Sequence, residues 1–441
     1  MVIGLRRAAA CFKFILFGLV TACTSLFAEG GLPGAFLDYA PGPRSLGMGK
    51  AFAAVSNDAQ AGYFNPAGLY QLNAQEVLLA HSQLYGARLE FITYALPTKQ
   101  LGTFGLTILS YGAEGLDSRT RENWQFQPYW FMENAYIVSY AYNPWDFLGF
   151  GANLKLVTKN IAQFSGTGFG ADLSAFLRLP KPLSFGITIQ NLLQPVVLLQ
   201  SIEEHYPRTL RAGAAVHLLD DRAVIALDVV NPILSDFDTV TGSPTGRFKL
   251  HPVFHGGVEF ELVPKVLVQR VGIDQNEISL GLGIHKFWGK MGMGVDYAVL
   301  LHHRSRYQLS PTHKLGLFFD FAGFRVWIDA QPRLFSPTPE DPKNVLWMDV
   351  RSFSRAPVKR WQLLIKNGFG EVVRSYSGWD EPPMRMTWDG LDDAGRLVSD
   401  GNYYYEILLI DQRNSTLSFS AFLTEIRTKG PQGRIEIRPG Q

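Results

Sequence analysis

Cysteine is nearly absent: 441 residues hold two, Cys11 and Cys23. A chain cut after Ala28 would have no thiol, which excludes disulfides and Cys-based metal sites from it. Charge is scarce as well, at 18% of residues, and the signs nearly cancel to a formal +2. That balance gives no footing for nucleic acid. After the first residues, no run approaches the roughly 20 apolar residues of a spanning helix. If the chain is in a membrane, only a closed barrel of strands is left, because lipid offers no partner to backbone polar groups. The usual signatures of catalysis are missing too. There is no P-loop, no dinucleotide glycine fingerprint, no His-Glu-x-x-His and no Gly-x-Ser-x-Gly. We therefore expect no enzyme and no cofactor. His302, His303 and His313 lack metal-ligand partners at a readable spacing and read as exposed or interfacial.

What is present starts with an export leader. Arg6, Arg7 and Lys13 are followed by the apolar run Phe14 to Val20 and then by small residues, so residues 1–28 read as a signal peptide. A second reading stays open. Val20-Thr21-Ala22-Cys23 has the form of a lipoprotein signal, with Cys23 as the lipidated residue.

From Gln75 onward the hydrophobic period is two. Leu148, Phe150, Ala152, Leu154 and Leu156 alternate with Gly149, Gly151, Asn153 and Lys155. Leu183, Phe185, Ile187 and Ile189 alternate with Ser184, Gly186, Thr188 and Gln190. One apolar face and one polar, glycine-rich face suit lipid outside and water inside. Fourteen such segments are readable: 75–82, 87–96, 101–111, 134–144, 148–158, 168–178, 183–192, 209–218, 222–230, 251–262, 265–273, 277–286, 290–299 and 313–321. Connections after the even-numbered segments are tight, as at 145–147 and 263–264. Those after odd-numbered segments are often long: 112–133, 159–167, 193–208, 231–250 and 300–312. Short periplasmic turns opposite longer outer loops mark an outer-membrane barrel, and put both barrel ends in the periplasm. The expectation is an all-β chain with a roughly 14-stranded antiparallel transmembrane barrel over 75–325. A soluble sandwich also alternates, but would not confine its short loops to one side.

Residues 29–74 are not strand-like. They carry Arg44, Gly47, Met48, Gly49, Lys50, Ala51, Asp58 and the run Asn65-Pro66-Ala67-Gly68-Leu69. Such a density of turn residues and small side chains suits a segment packed inside a barrel. This stretch resembles the N-terminal hatch of the FadL-type outer-membrane family, and more closely its PorV-like relatives. Gly170 with Asp172, Ile189-Gln190-Asn191-Leu192, Gly256-Gly257-Val258-Glu259-Phe260 and Asp296-Tyr297 agree. Lys50 departs from the second glycine usual in the PorV-like branch. The resemblance covers about residues 30–325. It implies a barrel plugged by a hatch built on Arg44, Gly47, Gly49, Asp58, Asn65, Pro66 and Ala67, with a fatty acid or other hydrophobic ligand entering from outside. Outer loop 112–133 offers Trp124, Phe126, Tyr129, Trp130 and Phe131, an aromatic cluster that either catches an acyl chain or packs the loop on itself.

After Phe321 the character changes. Prolines at 332, 337, 339 and 342 mark 326–344 as a linker. Short alternating strands over 345–441 read as a β-sandwich. Trp388-Asp389-Gly390 with Asp400-Gly401-Asn402-Tyr403 resembles the immunoglobulin-like module of FlgD-type exported proteins, which the barrel topology would place in the periplasm. Asp389, Asp392 and Asp393 either form hairpins or offer oxygen donors to calcium. Three functions compete on these grounds. One is uptake of long-chain fatty acids or similar hydrophobic solutes. Another is a plugged barrel that docks secreted or periplasmic protein partners through its C-terminal unit. The third is an outer-membrane enzyme.

Overall fold

The computed structural model describes residues 33–427, apart from short breaks of which the longer are 120–122, 125–127, 238–243, 303–309, 322–324, 338–343, 354–356 and 412–415. The leader 1–28 with Cys23, and Phe126 of the aromatic cluster, lie outside the described residues. The chain forms two compact units that divide after Phe321. No helix among the described residues is long and apolar enough to cross a membrane.

The first unit is a closed antiparallel barrel of fourteen strands, one for each segment expected from the period-two pattern. They are β1 Gln75–Leu84, β2 Ala87–Pro97, β3 Thr103–Leu116, β4 Tyr129–Trp145, β5 Leu148–Ile161, β6 Phe164–Arg178, β7 Leu183–Leu193, β8 Arg208–Leu218, β9 Ala223–Phe237, β10 Val253–Val263, β11 Leu267–Ile273, β12 Glu277–Trp288, β13 Met291–His302 and β14 Thr312–Phe321. Each pairs with its neighbour in sequence, and β14 pairs with β1 to close the ring. Closure leaves the fourteen wall strands without a free edge, and a further strand, Pro244–Leu250, pairs with the Ile233–Phe237 end of β9.

Burial along the strands runs opposite to that of a soluble protein. On β5, Phe150 and Leu154 are 48% and 68% exposed, whereas Asn153 and Lys155 on the other face are 1% and 6% exposed. A soluble sandwich would hide the leucine and show the lysine. The outward faces also agree between strands. Leu79, Ile92, Ile108, Tyr136, Leu156 and Phe169 are successive partners across β1 to β6. Two residues further along each strand the partners are His81, Glu90, Ser110, Asn134, Thr158 and Thr167. Within that row His81 bonds Glu90 at 2.7 Å, Ser110 donates to Asn134 at 2.7 Å, and Asn134 donates to Thr158 at 3.1 Å. The apolar face thus ends on a line of side chains that satisfy one another.

Three expectations about the connections need correction. The stretch 231–250 is not all loop, since β9 runs to Phe237 and Pro244–Leu250 pairs with its end. The stretch 159–167 is no long loop: β5 and β6 continue past the apolar band and meet at a tight turn. The alternation persists there with Thr158 and Asn160 on the outward face, so the period was present but the apolar signal had stopped. Likewise 112–133 is not all loop. β3 runs to Leu116 and β4 starts at Tyr129, which makes Tyr129, Trp130 and Phe131 strand residues.

In the second unit, a three-stranded sheet of Arg325–Gln331, Leu346–Phe353 and Arg385–Trp388 faces a five-stranded one of Leu334–Phe335, Thr416–Ile426, Gly401–Asp411, Val358–Lys366 and Val372–Trp379. Ile328, Met348 and Val350 from one sheet share a core with Leu363, Ile365 and Ile407 from the other. The expected linker 326–344 therefore holds two strands. Of its prolines, Pro332 and Pro337 sit just past the ends of those strands, where no ladder hydrogen bond is lost. The Trp388 ring lies edge-on to Tyr403 at 5.3 Å, and its Nε1 donates to the Leu391 carbonyl at 2.9 Å. Asp389 and Asp392 accept backbone N–H bonds from Leu391 and from Ala394 and Arg396. Asp393 bonds the Ser375 N–H and hydroxyl. All three carboxylates are thus engaged in the turns, in keeping with the hairpin alternative.

Tyr405 takes the place of a missing strand neighbour. Its hydroxyl accepts from the Ile328 N–H at 2.9 Å and donates to the Ile328 carbonyl at 3.2 Å. Burial pushes this phenol up to about 12. The folded unit therefore favours the neutral phenol, and that contribution is complete below an ordinary tyrosine pKa and is lost as pH rises from about 10. Tyr405→Phe should cost about 1–3 kcal/mol by leaving both Ile328 backbone groups buried and unbonded. Calorimetry of the full chain should show the transition of this unit moving down, and moving less between pH 9 and 12 than in the parent.

Candidate functional site

The candidate site is the barrel interior, and what fills it is the chain's own N-terminal segment. The inward faces of the wall strands are glycine-rich and polar, and such faces call for water or for polar partners. Here the partners are mostly residues 42–74. This segment holds two short helices, α1 Pro43–Gly47 and α2 Ala61–Phe64, and a 3-10 turn over Pro66–Gln71. Pro66 starts that turn where its missing N–H costs nothing. Met48, Ala51, Phe52, Ala53, Phe64 and Leu69 are fully buried. The lumen is thus largely filled by folded chain.

Arg44 is the central tie. Its Nε and Nη2 donate to the two oxygens of Glu259 on β10, each at 2.8 Å. Its Nη1 donates to Asp58 and Asn57, also at 2.8 Å. Glu259 in turn accepts from Arg270 Nε on β11 at 2.6 Å, and Arg270 Nη1 donates to Asp296 on β13 at 2.6 Å. Asp296 also meets His285 of β12 at 3.0 Å. One chain of charge-assisted bonds thus joins the segment to four adjacent strands. Bidentate guanidinium–carboxylate geometry of this kind fixes orientation as well as distance. Glu259, Arg270 and Asp296 are thus brought together as a brace.

A second tie explains the departure at Lys50. Gly49 and Lys50 both have positive φ, at 61° and 68°. Glycine adopts that conformation freely and lysine does not. A Cβ on Gly49 would also lie 2.5 Å from the Ile273 nitrogen and 2.6 Å from the Gly256 oxygen. Lys50 keeps the strained turn and gains two partners, with Nζ 2.9 Å from Asp274 and 3.1 Å from Glu277. Glu277 also pairs with His302 at 3.0 Å.

The third tie is to the backbone. Asp228 on β9 accepts the Phe52 and Ala53 N–H groups at 3.0 and 2.9 Å, with Arg211 of β8 at 3.5 Å. Asn65 donates to the Ala53 carbonyl at 2.9 Å and to that of Ala175 on β6 at 3.2 Å, and accepts from Ala67 N–H at 3.2 Å. The wall glycines make room for this contact. A Cβ at Gly151 would fall 2.2 Å from the Ala67 nitrogen, and one at Gly257 2.3 Å from the Met48 oxygen. Arg44, Gly47, Gly49, Asp58, Asn65, Pro66 and Ala67 therefore all stand in the segment or at its contacts with the wall. The partners on the strands, Asp228, Asp274 and Glu277, were not picked out beforehand. Their one signal in sequence is a charge on the inward phase of a strand or at a strand end.

The aromatic cluster is divided. Trp124 stands 73% exposed. Trp130 points outward. Phe131 points inward and its ring meets Tyr111 at 5.5 Å, which meets Tyr39 at 5.7 Å. Tyr39 and Tyr111 border a cavity of about 200 Å³, lined also by Phe36, Glu133, Lys159 and Glu204.

No protein-family model and no curated protein matches this sequence. Among solved structures, the CymD monoaromatic hydrocarbon channel aligns with 64% of this chain and 97% of its own, at 14% identity and a TM-score of 0.46. The Pseudomonas putida toluene transporter TodX gives the same coverage and TM-score at 13% identity. A Pseudomonas aeruginosa FadL homologue covers 62% of this chain and 97% of its own, at 11% identity and a TM-score of 0.40. Likeness at this level assigns no family.

Two substitutions test the ties. Arg44→Met strands buried carboxylates and should cost about 3–5 kcal/mol, whereas Arg88→Met, which breaks an exposed pair with Glu114, should cost at most about 1 kcal/mol. The readout is the temperature at which the folded barrel loses its compact migration on a denaturing gel. Lys50→Gly relieves about 1–2 kcal/mol of backbone strain but gives up a buried pair of about 3–5 kcal/mol, so it should destabilise on balance. Stabilisation by Lys50→Gly would show that the turn, not the ion pair, governs this position.

Proposed function

We propose that this chain is an outer-membrane barrel that takes up hydrophobic solutes, long-chain fatty acids among them, with residues 29–74 acting as its hatch. The observation that carries this reading is the cavity at the end of the barrel away from the tight turns. Tyr39, Tyr111 and Phe36 give it rings that accept an acyl chain or a small aromatic, and Glu133, Lys159 and Glu204 give it a polar rim. Rings beside convergent polar groups suit an amphipathic solute, its apolar part on Tyr39 and Tyr111 and its polar head at the Lys159 cluster. In this reading the apolar band meets lipid, the tight turns face the periplasm, and solute arrives from outside.

A second reading rests on a different observation. The segment is bound to the wall by buried ion pairs at Arg44 and Lys50, which suits a permanent plug. A plugged barrel with an appended unit would serve as a dock, with the C-terminal unit as a periplasmic immunoglobulin-like module of the FlgD type that holds a protein partner.

Native mass spectrometry of the full-length protein with and without oleate separates the two. Retained acyl chain in the parent, with affinity about tenfold or more weaker in Tyr111→Ala through the lost ring contacts, supports uptake. Trp124→Ala should leave that affinity unchanged, because its side chain is no part of the cavity wall. A parent that binds no oleate but carries a protein partner lost on removal of residues 325–441 supports docking.

A further inference from the structure

Residues 194–207, between β7 and β8, turn back into the barrel. They carry a hairpin of Val196–Leu199 with Ile202–His205 that pairs with itself and with no wall strand. The hairpin lies on the inward face of β6. A Cβ at Gly166 would fall 2.5 Å from the Leu198 oxygen, and one at Gly168 2.9 Å from the Val196 oxygen. Val197 is fully buried beneath it, in one cluster with Phe36. Glu204 of this hairpin is part of the wall of the cavity that also holds Tyr39 and Tyr111.

The two ends of the loop and the hairpin between them are held very differently. At the ends, Asn191 takes a left-handed conformation with φ 55°. Its N–H donates to Asp172 at 2.7 Å, its Nδ2 donates to the Pro207 carbonyl at 2.8 Å, and its Oδ1 accepts from Lys155 at 2.8 Å. Tyr206 N–H donates to the Pro195 carbonyl, and Gln194 to the Tyr206 carbonyl, both at 3.1 Å. This neck is stitched shut. Among the described residues, the polar tie between the hairpin itself and the wall is Lys159 of β5. It donates to both oxygens of Glu204 at 2.9 and 2.8 Å and pairs with Glu133 of β4 at 3.0 Å. A rigid neck, glycine-smoothed contact and one ionic catch are the parts of a hinged cover.

We propose that the hairpin 196–205 is a lid over the cavity, that it swings on the Pro195–Pro207 neck, and that Lys159 is its catch. With Lys159 bound to Glu204 the lid is down and Val197 is hidden. Release of that pair lifts Glu204 from the cavity wall and widens the way in. As a gate for solute, the lid rests on the uptake reading above; as a moving part, it does not.

The test is maleimide labelling of the full-length protein in lipid, read by peptide mass mapping. Val197→Cys should label slowly, and at least tenfold faster once Lys159→Met is added. Lys159→Arg should restore slow labelling, because it keeps the charge. Leu69→Cys, buried in the N-terminal segment, should stay unlabelled in every background. Three results overturn the lid: fast labelling at Val197→Cys with Lys159 intact, no change on Lys159→Met, or equal gain at Leu69→Cys, which would mean that the whole interior had loosened. No solute is present in this assay. Its failure therefore leaves the oleate test standing, and a failed oleate test leaves the lid standing.

Discussion

The structure depends on the need to satisfy polar groups that face inward once the lumen is filled. Asp228, Glu259, Arg270 and Asp296 all sit on inward phases of the wall and are nearly inaccessible. An isolated buried charge costs far more than a folded domain has to spare. The N-terminal segment supplies the complements: Arg44 for Glu259, backbone N–H groups at 52 and 53 for Asp228, Lys50 for Asp274 and Glu277. Neither part is complete without the other. The segment has little regular structure of its own, and the wall without it would expose a ring of charges to an empty channel.

The same constraint shapes the two faces of the wall. The outward face is apolar, as a wall in lipid would need, until it ends on a row where His81 bonds Glu90 and Asn134 bonds Ser110 and Thr158. The inward face can be polar only because something bonds it, and it is rich in glycine because that something is backbone lying close. Gly151 and Gly257 are cases in point, since neither position has room for a methyl group. The hairpin at 196–205 follows this logic in miniature, with Gly166 and Gly168 as its seat.

Function is a matter of what moves against this fixed interior. The segment is held by pairs that are costly to break. The hairpin is held by one partly exposed cluster and an apolar contact. If solute passes, the weaker element yields first. This ordering makes a cavity beneath a cover a better candidate for recognition than the segment as a whole.

The sequence by itself determined the wall. A period of two with lipid-compatible and polar faces leaves a closed barrel as the physical solution, and all fourteen segments are strands. It also pointed to the N-terminal segment, because Asn65-Pro66-Ala67 and the glycines around Arg44 demand turns whatever surrounds them. Only the tertiary structure decided which charges meet. Arg44 and Glu259 lie 215 residues apart, and no local pattern couples positions so distant. The strand ends were also illegible. At Tyr129 to Phe131 and at 159–167 the alternation continues beyond the apolar band, so the hydrophobic contrast that reveals it has faded. The prolines of 326–344 misled for a related reason: they forbid a ladder bond at their own position, and whether that position is the end of a strand or the middle of a linker depends on neighbours that only folding supplies.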